Sequence, residues 1–554
     1  MAAHDGITRL ARAWAALLFL ACSSGAAAQG QAAEPKEHQE LDATVQAPFH
    51  AAPDARRTQA RTFQVQLSYP GEGEVHAVDW RLTLSGPGAQ GQLTRSWQGL
   101  ARMAGDGATV SVPWDGRLDG GAPAPAGLYQ LLLRATAGDG AGRQTVEQQW
   151  QIAVERSDGN RTLAPRRAAL PPATKPLLDK LPYKIVLANL HSQTRHSDGG
   201  AALDACKGAQ EPQTAPFGPI DAYRYAQQHG LDVLLASEHN HMYDGSDGTN
   251  AAAEPAEAKA LYQTGLAEAA AYTADNPGFL ALYGMEWGVI NKGGHLNILN
   301  SDLLLGWERN GKGELLADLD TPKGDYAALY GLMRERGWLG QFNHPAVSGQ
   351  FTVAGQPLGY TPDGDAAMVL CEVMNTSAFS TNEQETEPRR SNYEAACNRA
   401  LSAGYHVAFS TNQDNHCANW GAAYGNRTAI LVRADAPLSR DSLFEALRAR
   451  RVFATMDKHA QLIFTANGRM MGERFDNRGP LSLTVRHSHS QGRQAASIVL
   501  FQGVPGSNGS VTPLSDQAQI TITPSPGPHF YYARVTQDDG NIAWSAPVWI
   551  NQVP

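Results

Sequence analysis

Short apolar runs recur through the middle of the chain, and each is followed within a few residues by histidine, aspartate or glutamate. The runs and the polar residues after them are residues 183–190 with His191, 231–237 with Glu238, 280–285 with Glu286, 337–343 with His344, 367–371 with Glu372 and 406–410 with Asp414. Continuous apolar runs of this length are typical of parallel strands that are buried on both faces. The pattern therefore predicts a sheet whose strands end in polar side chains.

Segments with helical periodicity lie between these predicted strands. Residues 219–229 begin with proline and are followed by glycine, which are the residues that helix ends prefer. The other predicted helices cover residues 254–274, 325–336, 392–403 and 441–451. Alternation of strands and helices favours an α/β unit, and such a unit places its chemistry at the carboxyl ends of the strands.

Two regions of short alternating strands flank this unit, at residues 61–156 and 458–554. Glycine, proline and aspartate separate the strands, as is typical of β-sandwiches. The turn at Trp114-Asp115-Gly116 resembles an Ig-like repeat of flagellar hook-capping proteins and many secreted enzymes. The N-terminal sandwich carries no catalytic constellation, which favours a spacer or docking role. Residues 29–60 are predicted to be a disordered tether and residues 157–182 a linker.

Eight residues near the predicted strand ends are candidate metal ligands. They are His191, Asp198, His239, Glu286, His295, His344, Asp414 and His416. Imidazole and carboxylate groups together suit zinc, manganese or iron. Because each ion accepts about four to six ligands, a cluster of this size predicts two or three divalent ions.

The order of these residues resembles the motifs of the metal-dependent phosphoesterase superfamily named after the polymerase and histidinol phosphatase (PHP) domain. The matching segments are His191-Ser192-Gln193 with Ser197-Asp198-Gly199, Glu238-His239-Asn240, Glu286, His295, Asn343-His344-Pro345 and Asp414-Asn415-His416. The resemblance covers residues 183–457 and implies a distorted (β/α)7 barrel. The chain then looks like a secreted multidomain member, with this PHP-type barrel between an N-terminal Ig-like β-sandwich and a C-terminal β-sandwich.

The resemblance also implies which residues share each ion. The implied groups are His191, Glu286 and Asp414; Glu286, His295 and His344; and Asp198, His239 and His416. Gln193 is a fourth candidate for the first group and stands where the family has a histidine. An amide oxygen is a poorer ligand for these metals than an imidazole nitrogen, so the first metal position is the least secure.

Three further residues are candidates for direct roles in catalysis. His241 is the candidate acid for the leaving group, because a metal-bound His239 could not donate a proton. Arg195 and Lys292 are adjacent to ligand motifs and could bind phosphoester oxygens, with Arg427 more remote. Each cation could equally be an exposed surface charge. The polar residues 243–249 predict either a substrate loop beside His241 or a plain surface loop.

These features predict a hydrolase that cleaves a small-molecule phosphoester with hydroxide bound to a di- or trinuclear metal cluster. One alternative keeps the ions and changes the bond to that of a carbamate or carboxylic ester. The other is a surface binding protein that retains its metals without turnover, and Gln193 is the feature that favours it. The sequence does not give the metal, the substrate or the oligomeric state.

Length and charge limit the remaining classes. The chain has 554 residues, which exceeds one core and predicts about three to four domains. Its 45 lysines and arginines against 54 aspartates and glutamates give a net charge of −9, with no long basic stripe. A protein that binds duplex nucleic acid would normally be basic, so that class is disfavoured.

Residues 1–28 have the features of a secretory signal peptide. Arg9 and Arg12 precede the apolar residues 13–21, and small residues follow up to Ala28. The apolar run is too short to span a bilayer stably, so no transmembrane span is expected in the mature chain. The expected location is periplasmic or secreted. A lipoprotein anchored at Cys22 is the alternative.

Signal cleavage would leave four cysteines, Cys206, Cys371, Cys397 and Cys417, in an oxidising compartment. Cys206 and Cys417 each lie close in sequence to a predicted ligand, whereas Cys371 is on a strand and Cys397 on the following helix. We therefore favour disulfides 206–417 and 371–397. The other pairings and four buried thiols are the alternatives.

Overall fold

The computed structural model describes most of the chain from residue 41 onward. The described ranges are residues 41–68, 75–86, 94–104, 107–138, 144–155, 181–289, 293–345, 352–353, 356–357 and 359–554. The predictions that fall wholly or partly outside them concern the signal peptide 1–28 with Cys22, the tether 29–60, the linker 157–182 and Lys292.

The N-terminal strands form two antiparallel sheets. The strands are β1 (Asp42–Gln46), β2 (Arg61–Ser68), β3 (Val75–Ser85), β4 (Thr94–Ala104), β5 (Gly107–Trp114), β6 (Gly127–Ala137) and β7 (Gln144–Val154). One sheet has the order β1-β2-β5 and the other β4-β3-β6-β7. Alternate residues are buried along β2 and β6, and the Phe63 ring meets the Trp97 ring of the other sheet at 5.8 Å. Because β1 begins at Asp42, the sandwich starts inside the predicted tether.

The middle of the chain contains fourteen strands and all six α-helices of the described residues. The strands are β8 (Tyr183–Asn189), β9 (Val233–His239), β10 (Leu280–Trp287), β11 (Leu296–Ile298), β12 (Leu305–Gly306), β13 (Leu319–Asp320), β14 (Gly340–Phe342), β15 (Thr352–Val353), β16 (Gln356–Pro357), β17 (Met368–Thr376), β18 (Arg390–Asn392), β19 (Ala408–Asn412), β20 (Arg427–Arg433) and β21 (Val452–Thr455). The helices are α1 (Pro219–Gln228), α2 (Pro255–Asp275), α3 (Tyr326–Arg336), α4 (Pro362–Ala367), α5 (Glu394–Ala403) and α6 (Arg440–Arg448).

The predicted (β/α)7 barrel over residues 183–457 is wrong. Strands β8, β9 and β10 run parallel, as do β14, β17 and β19. Between these groups β11 runs antiparallel to both β10 and β14, while β20 runs antiparallel to both β8 and β21. The central unit is therefore a large mixed sheet with too few helices for regular alternation.

The error lies in the direction of the strands, which apolar runs do not encode. Such a run identifies a buried strand, but a parallel neighbour also needs a crossover of about a dozen residues or more. Only residues 288–295 separate β10 from β11, so β11 can return only in the antiparallel direction. The short run at residues 296–299 gave no sign of this reversal.

The C-terminal strands extend the central sheet instead of forming a wholly separate unit. They are β22 (Ala460–Ala466), β23 (Arg469–Met470), β24 (Arg474–Arg478), β25 (Leu481–His489), β26 (Ala495–Gly503), β27 (Thr512–Ser515), β28 (Gln519–Ile522), β29 (Gly527–Gln537), β30 (Ile542–Ser545) and β31 (Val548–Val553). β21 pairs with β30, which joins β29, β26 and β27 to the central sheet. The four strands β23-β22-β25-β28 form a second C-terminal sheet. One hydrophobic core includes residues of both the central unit and the C-terminal strands.

Both favoured disulfides are confirmed by the structure. Cys206 is bonded to Cys417 with a Cα–Cα distance of 5.7 Å, and Cys371 to Cys397 with 5.8 Å. The first ties the loop after β8 to the loop after β19. The second ties β17 to α5. None of the helices in the described ranges combines the length and apolar character needed to cross a bilayer.

A buried ion pair joins the C-terminal strands to the central unit. Arg534 of β29 places Nη1 at 2.8 Å from Oε2 of Glu394, the first residue of α5. The Tyr532 hydroxyl donates to the other oxygen of Glu394 at 2.8 Å. Glu394 is 2% exposed and Arg534 8%, so the two charges compensate each other away from water.

We expect Glu394→Ala to lower the free energy of unfolding by about 3 to 5 kcal/mol, because it leaves the Arg534 charge buried without its carboxylate. Glu254→Ala is the matched control, since Glu254 pairs with Lys312 at 3.0 Å on the exposed surface. Thermal unfolding followed by circular dichroism should show a large fall in the midpoint only for Glu394→Ala. Equal midpoints for the two variants would contradict the assigned role.

Candidate metal centre

The structure brings all eight predicted ligands together. Three groups of side chains have ligand atoms within 4.8 Å of one another: His191, Glu286 and His344; Asp198, His239 and His416; and His239, Glu286 and His295. Asp414 joins them through Oδ1, which lies 3.0 Å from His191 Nε2. The groups overlap at Glu286 and His239. The ligands are grouped differently from what the family resemblance implies. In the structure His191 shares a group with His344, and His295 shares a group with His239.

The ends of neighbouring strands position these side chains. His239 is the last residue of β9, and the parallel register places it directly beside Glu286 of β10. His191 follows β8, His344 follows β14, and Asp414 follows β19. His295 immediately precedes β11, which is antiparallel and therefore begins at the same edge of the sheet where β10 ends. Strands far apart in the sequence thus deliver their polar ends to one place.

The distances between ligand atoms fit shared cations. Glu286 lies 3.0 Å from His191, 3.1 Å from His295, 3.2 Å from His344 and 3.6 Å from His239, measured between carboxylate oxygen and imidazole nitrogen. Asp198 Oδ1 lies 3.4 Å from His416 Nε2 and 3.8 Å from His239 Nε2. Two ligands at 2.0–2.2 Å from one ion lie about 2.9–3.5 Å apart at usual bond angles. The donor set and its spacing therefore fit zinc, manganese or iron.

Electrostatics keep the carboxylates in their charged, ligating form. Burial alone would raise the pKa of Glu286, but the charges of His191, His295 and His239 hold it well below its usual value. Burial lowers the pKa of His416, yet the Asp198 and Asp414 charges raise it to about 9. Because a protonated imidazole cannot bind a cation through that nitrogen, metal binding at this site would release protons.

A tight turn fixes Asp198 in the loop after β8. A side chain at Gly199 would lie 2.6 Å from the backbone of Gln193, and Gly200 has a φ of +83°. The Gly200 N–H donates to the His416 carbonyl at 2.8 Å, which holds the turn against a second ligand segment. Only glycine permits this approach and this conformation, so the turn requires glycine at positions 199 and 200.

The backbone is also strained at two ligands. His344 has a φ of 24° and Asp414 a φ of 50°, in a region that non-glycine residues seldom adopt. Such conformations cost about 1 to 3 kcal/mol each and persist where the surroundings hold them. The Glu372 carboxylate accepts from the His344 N–H at 2.7 Å, and the Asp414 N–H donates to the His191 carbonyl at 2.9 Å. These bonds hold the strained residues towards the cluster.

Gln193 contacts the cluster as a hydrogen-bond donor. Its Nε2 donates to Glu286 Oε2 at 2.6 Å and to the Ser237 carbonyl at 3.4 Å. In this arrangement the amide nitrogen holds the shared carboxylate, while the buried Oε1 makes no hydrogen bond to the described residues. Asn343 has a similar role, since its Nδ2 donates to Glu286 Oε1 at 2.8 Å.

A second carboxylate orients His191 from behind. Glu372 Oε1 lies 3.2 Å from His191 Nδ1, which leaves Nε2 facing Glu286 and Asp414. Asn412 Nδ2 donates to the same Glu372 oxygen at 3.0 Å. A carboxylate behind a ligating imidazole fixes the orientation of the ring and raises its basicity.

Two further buried residues near the cluster, His196 and Glu238, bind other partners. His196 Nδ1 lies 2.8 Å from the Tyr283 hydroxyl, and burial with the Arg195 charge lowers the pKa of His196 to about 4. Glu238 accepts hydrogen bonds from Thr194 and Ser197 at 2.6–3.0 Å. Both residues therefore stabilise the loop after β8 from outside the ligand groups.

His241 lies beside the cluster without joining a ligand group of the described residues. Its ring centre is 5.8 Å from that of His239, and its Nε2 lies 3.3 Å from Asp247 Oδ1. The Trp307 ring is stacked at 6.0 Å. Sequence reasoning missed Asp247 and Trp307. Asp247 lies in the polar loop predicted beside His241, which was the available signal.

The structure does not place Arg195 or Arg427, the two candidate cations within the described residues, at the cluster. Arg195 is exposed, and its side chain lies against Gly218 just before α1. Arg427 is buried and donates to the Tyr424 and Gly421 carbonyls and to Glu385. Lys292 lies outside the described residues. Adjacency to a motif in sequence did not fix the direction of the Arg195 side chain.

Comparison with protein families and curated proteins does not identify the chain. No family model matches it. Uncharacterized proteins of Chlamydia pneumoniae and Chlamydia trachomatis are 30% and 34% identical to it over 131 residues, which is 20% of this chain and 21% of each relative. The chain thus matches only about a fifth of the length of these relatives.

Similarity to solved structures is very low. A β-glucuronidase of Parabacteroides merdae matches 93% of this chain and 64% of its own at 8% identity, with a TM-score of 0.15. A putative β-galactosidase of Bacteroides fragilis matches 92% of this chain and 73% of its own at 10% identity, with a TM-score of 0.14. At these TM-scores the matches carry no argument about fold or activity.

We expect Asp198→Ala to lose about one equivalent of bound metal, because it removes the carboxylate of one ligand group only. Glu286→Ala should lose more bound metal than Asp198→Ala, since Glu286 belongs to two ligand groups. Elemental analysis of the purified protein by mass spectrometry checks both, with His487→Ala as a histidine control outside the centre. Full metal content in Glu286→Ala would show that the cluster does not bind cations.

Proposed function

We propose that the protein is a metal-dependent hydrolase of phosphoesters, with two or three zinc, manganese or iron ions held by the eight clustered ligands. The observation that supports this most is the sharing of Glu286 and His239 between groups, since shared ligands are typical of ions held a few ångströms apart. The motif order resembles that of the PHP superfamily, and we propose the same class of chemistry.

Divalent ions bound here would polarise the phosphoryl oxygens and activate water as the nucleophile. The residues of the chain supply the positioning. Glu372 holds His191, while Gln193 and Asn343 hold Glu286 through hydrogen bonds of 2.6 and 2.8 Å. Ligands that are fixed before substrate binds do not need to reorganise during the reaction.

We propose that His241 is the general acid that protonates the leaving group. Asp247 faces its Nε2 at 3.3 Å, so Nδ1 is the nitrogen that would deliver a proton to the departing oxygen. His241 lies next to His239 but outside the ligand groups of the described residues, a position that fits an acid–base residue beside the ions.

A carbamate or carboxylic ester is the second candidate substrate. The observation that favours it is the position of Arg195 and Arg427, neither of which faces the cluster. A neutral ester needs less positive charge around it than a phosphoester does. The same ions could polarise its carbonyl oxygen.

We also propose a periplasmic or secreted location. Two disulfides, Cys206–Cys417 and Cys371–Cys397, support it, because disulfides persist in oxidising compartments and are rare in the cytosol.

We expect His344→Ala and Asp414→Ala each to lower the rate of hydrolysis by about a hundredfold or more without unfolding the protein. His487→Ala should keep full activity, because His487 lies on β25 in the C-terminal sheet. The assay measures turnover of p-nitrophenyl phosphate monoesters and diesters, carboxylic esters and naphthyl carbamates, with and without added manganese or zinc.

The substrate panel separates the candidates. Metal-dependent turnover of phosphoesters alone supports the main proposal, and a preference for carbamates or carboxylic esters supports the second candidate. Bound metal without turnover of any compound would overturn both in favour of a binding protein. Loss of activity in His487→Ala would place the active site elsewhere.

A further inference from the structure

A cavity of about 420 Å³ lies where the C-terminal strands meet the central unit. His406 of the central unit lines it together with residues of β24, β29 and β31. Sites for small molecules usually enclose about 300–1,000 Å³. His406 precedes β19 and the ligand Asp414 follows it, so the cavity and the metal centre lie at opposite ends of this strand.

Strand pairing sets a cation beside an aromatic ring in this cavity. β24 runs parallel to β31, with Arg474 beside Trp549 and Asp476 beside Asn551. Because side chains alternate along a strand and paired neighbours share a face, all four side chains lie on one face of the sheet. The guanidinium carbon of Arg474 lies 5.9 Å from the centre of the Trp549 ring. This face therefore combines a positive charge with an aromatic wall.

The His406 imidazole forms an adjoining wall. Its Nδ1 lies 2.9 and 3.0 Å from the two oxygens of Asp365, and its ring centre lies 5.1 Å from that of Trp549. Because Nδ1 faces the carboxylate, Nε2 lies on the opposite side of the ring. The Tyr360 hydroxyl also donates to Asp365 Oδ2, at 3.5 Å, and Tyr360 is 42% exposed. An exposed aromatic side chain thus stands next to the residues that line the cavity.

Positive charge exceeds negative charge around Asp365. Arg474 Nη1 lies 4.0 Å from Asp365 Oδ2, and Arg450 donates to the Asp365 carbonyl at 3.4 Å. Burial, followed by the charge of Arg474, lowers the pKa of Arg450 to about 10. Two guanidinium groups thus share one buried carboxylate, and an anion in the cavity would compensate the remaining positive charge.

We propose that this cavity is a second ligand site, which binds a small carboxylate attached to a flat ring. Arg474 pairs with the carboxylate through two parallel hydrogen bonds, the geometry that a guanidinium group favours. The ring packs against Trp549 and against two prolines that also line the cavity, Pro505 and Pro528. Asp476, exposed on the same face, disfavours a ligand with a second negative charge. The site does not use the metal ions, so it goes beyond the proposed hydrolysis.

The test measures binding of 2-naphthoate to the full chain by calorimetry. The wild type should bind it at least about tenfold more tightly than 2-naphthamide, which has the same ring without the charge, or acetate, which has the charge without the ring. Arg474→Ala should weaken binding of 2-naphthoate by about tenfold or more, because it removes a charge-assisted pair. Arg474→Lys should recover only part of this loss, since an ammonium group lacks the planar fork.

Arg478→Ala is the matched control, because Arg478 is an exposed arginine of the same strand that donates to the Pro554 carbonyl. Circular dichroism should show that all three variants stay folded. Equal affinity of Arg474→Ala and the wild type for 2-naphthoate would place the carboxylate elsewhere, such as at the metal centre, and overturn the inference. Equal affinity of the wild type for naphthoate and naphthamide, or no binding of naphthoate, would overturn it as well. None of these measurements requires turnover, so a failure of the proposed hydrolysis leaves this test unaffected.

Discussion

The candidate site depends on the buried carboxylate of Glu286. Four imidazoles, those of His191, His239, His295 and His344, face its two oxygens at 3.0–3.6 Å. A lone carboxylate at this depth would be very costly, because burial opposes its charge. Here the imidazoles compensate the charge, and hydrogen bonds from Gln193 and Asn343 satisfy the oxygens. The ligands that surround Glu286 can be held at short distances only because this carboxylate stays ionised.

The mixed sheet is what delivers the ligands to Glu286. The parallel register sets His239 and Glu286 side by side, and the reversal at β11 brings His295 to the same edge. A regular barrel would have reached that edge with a longer connection and a helix. The C-terminal strands continue this sheet through β21 and β30, and the disulfide between Cys206 and Cys417 ties the loop after β8 to that after β19. The same framework that forms the core therefore limits movement of the site.

Much of the site could be predicted from local sequence, because each ligand follows or precedes a short apolar run. Helices were predictable for a similar reason: the segment predicted at residues 325–336 forms α3, Tyr326–Arg336, between an Asp325 cap and Gly337. The direction of the Arg195 side chain was not predictable. Arg195 lies beside a ligand motif in sequence, but its side chain lies against Gly218.

The sequence by itself determined the ligand types, the ends of the apolar runs at which they lie, most helices and the favoured disulfides. Each of these follows from a local pattern or from residue chemistry. Only the tertiary structure decided the strand directions and the partition of ligands into groups. Some of these features depend on pairing between segments more than a hundred residues apart, such as β8 with β20, and no local pattern records which segments will meet.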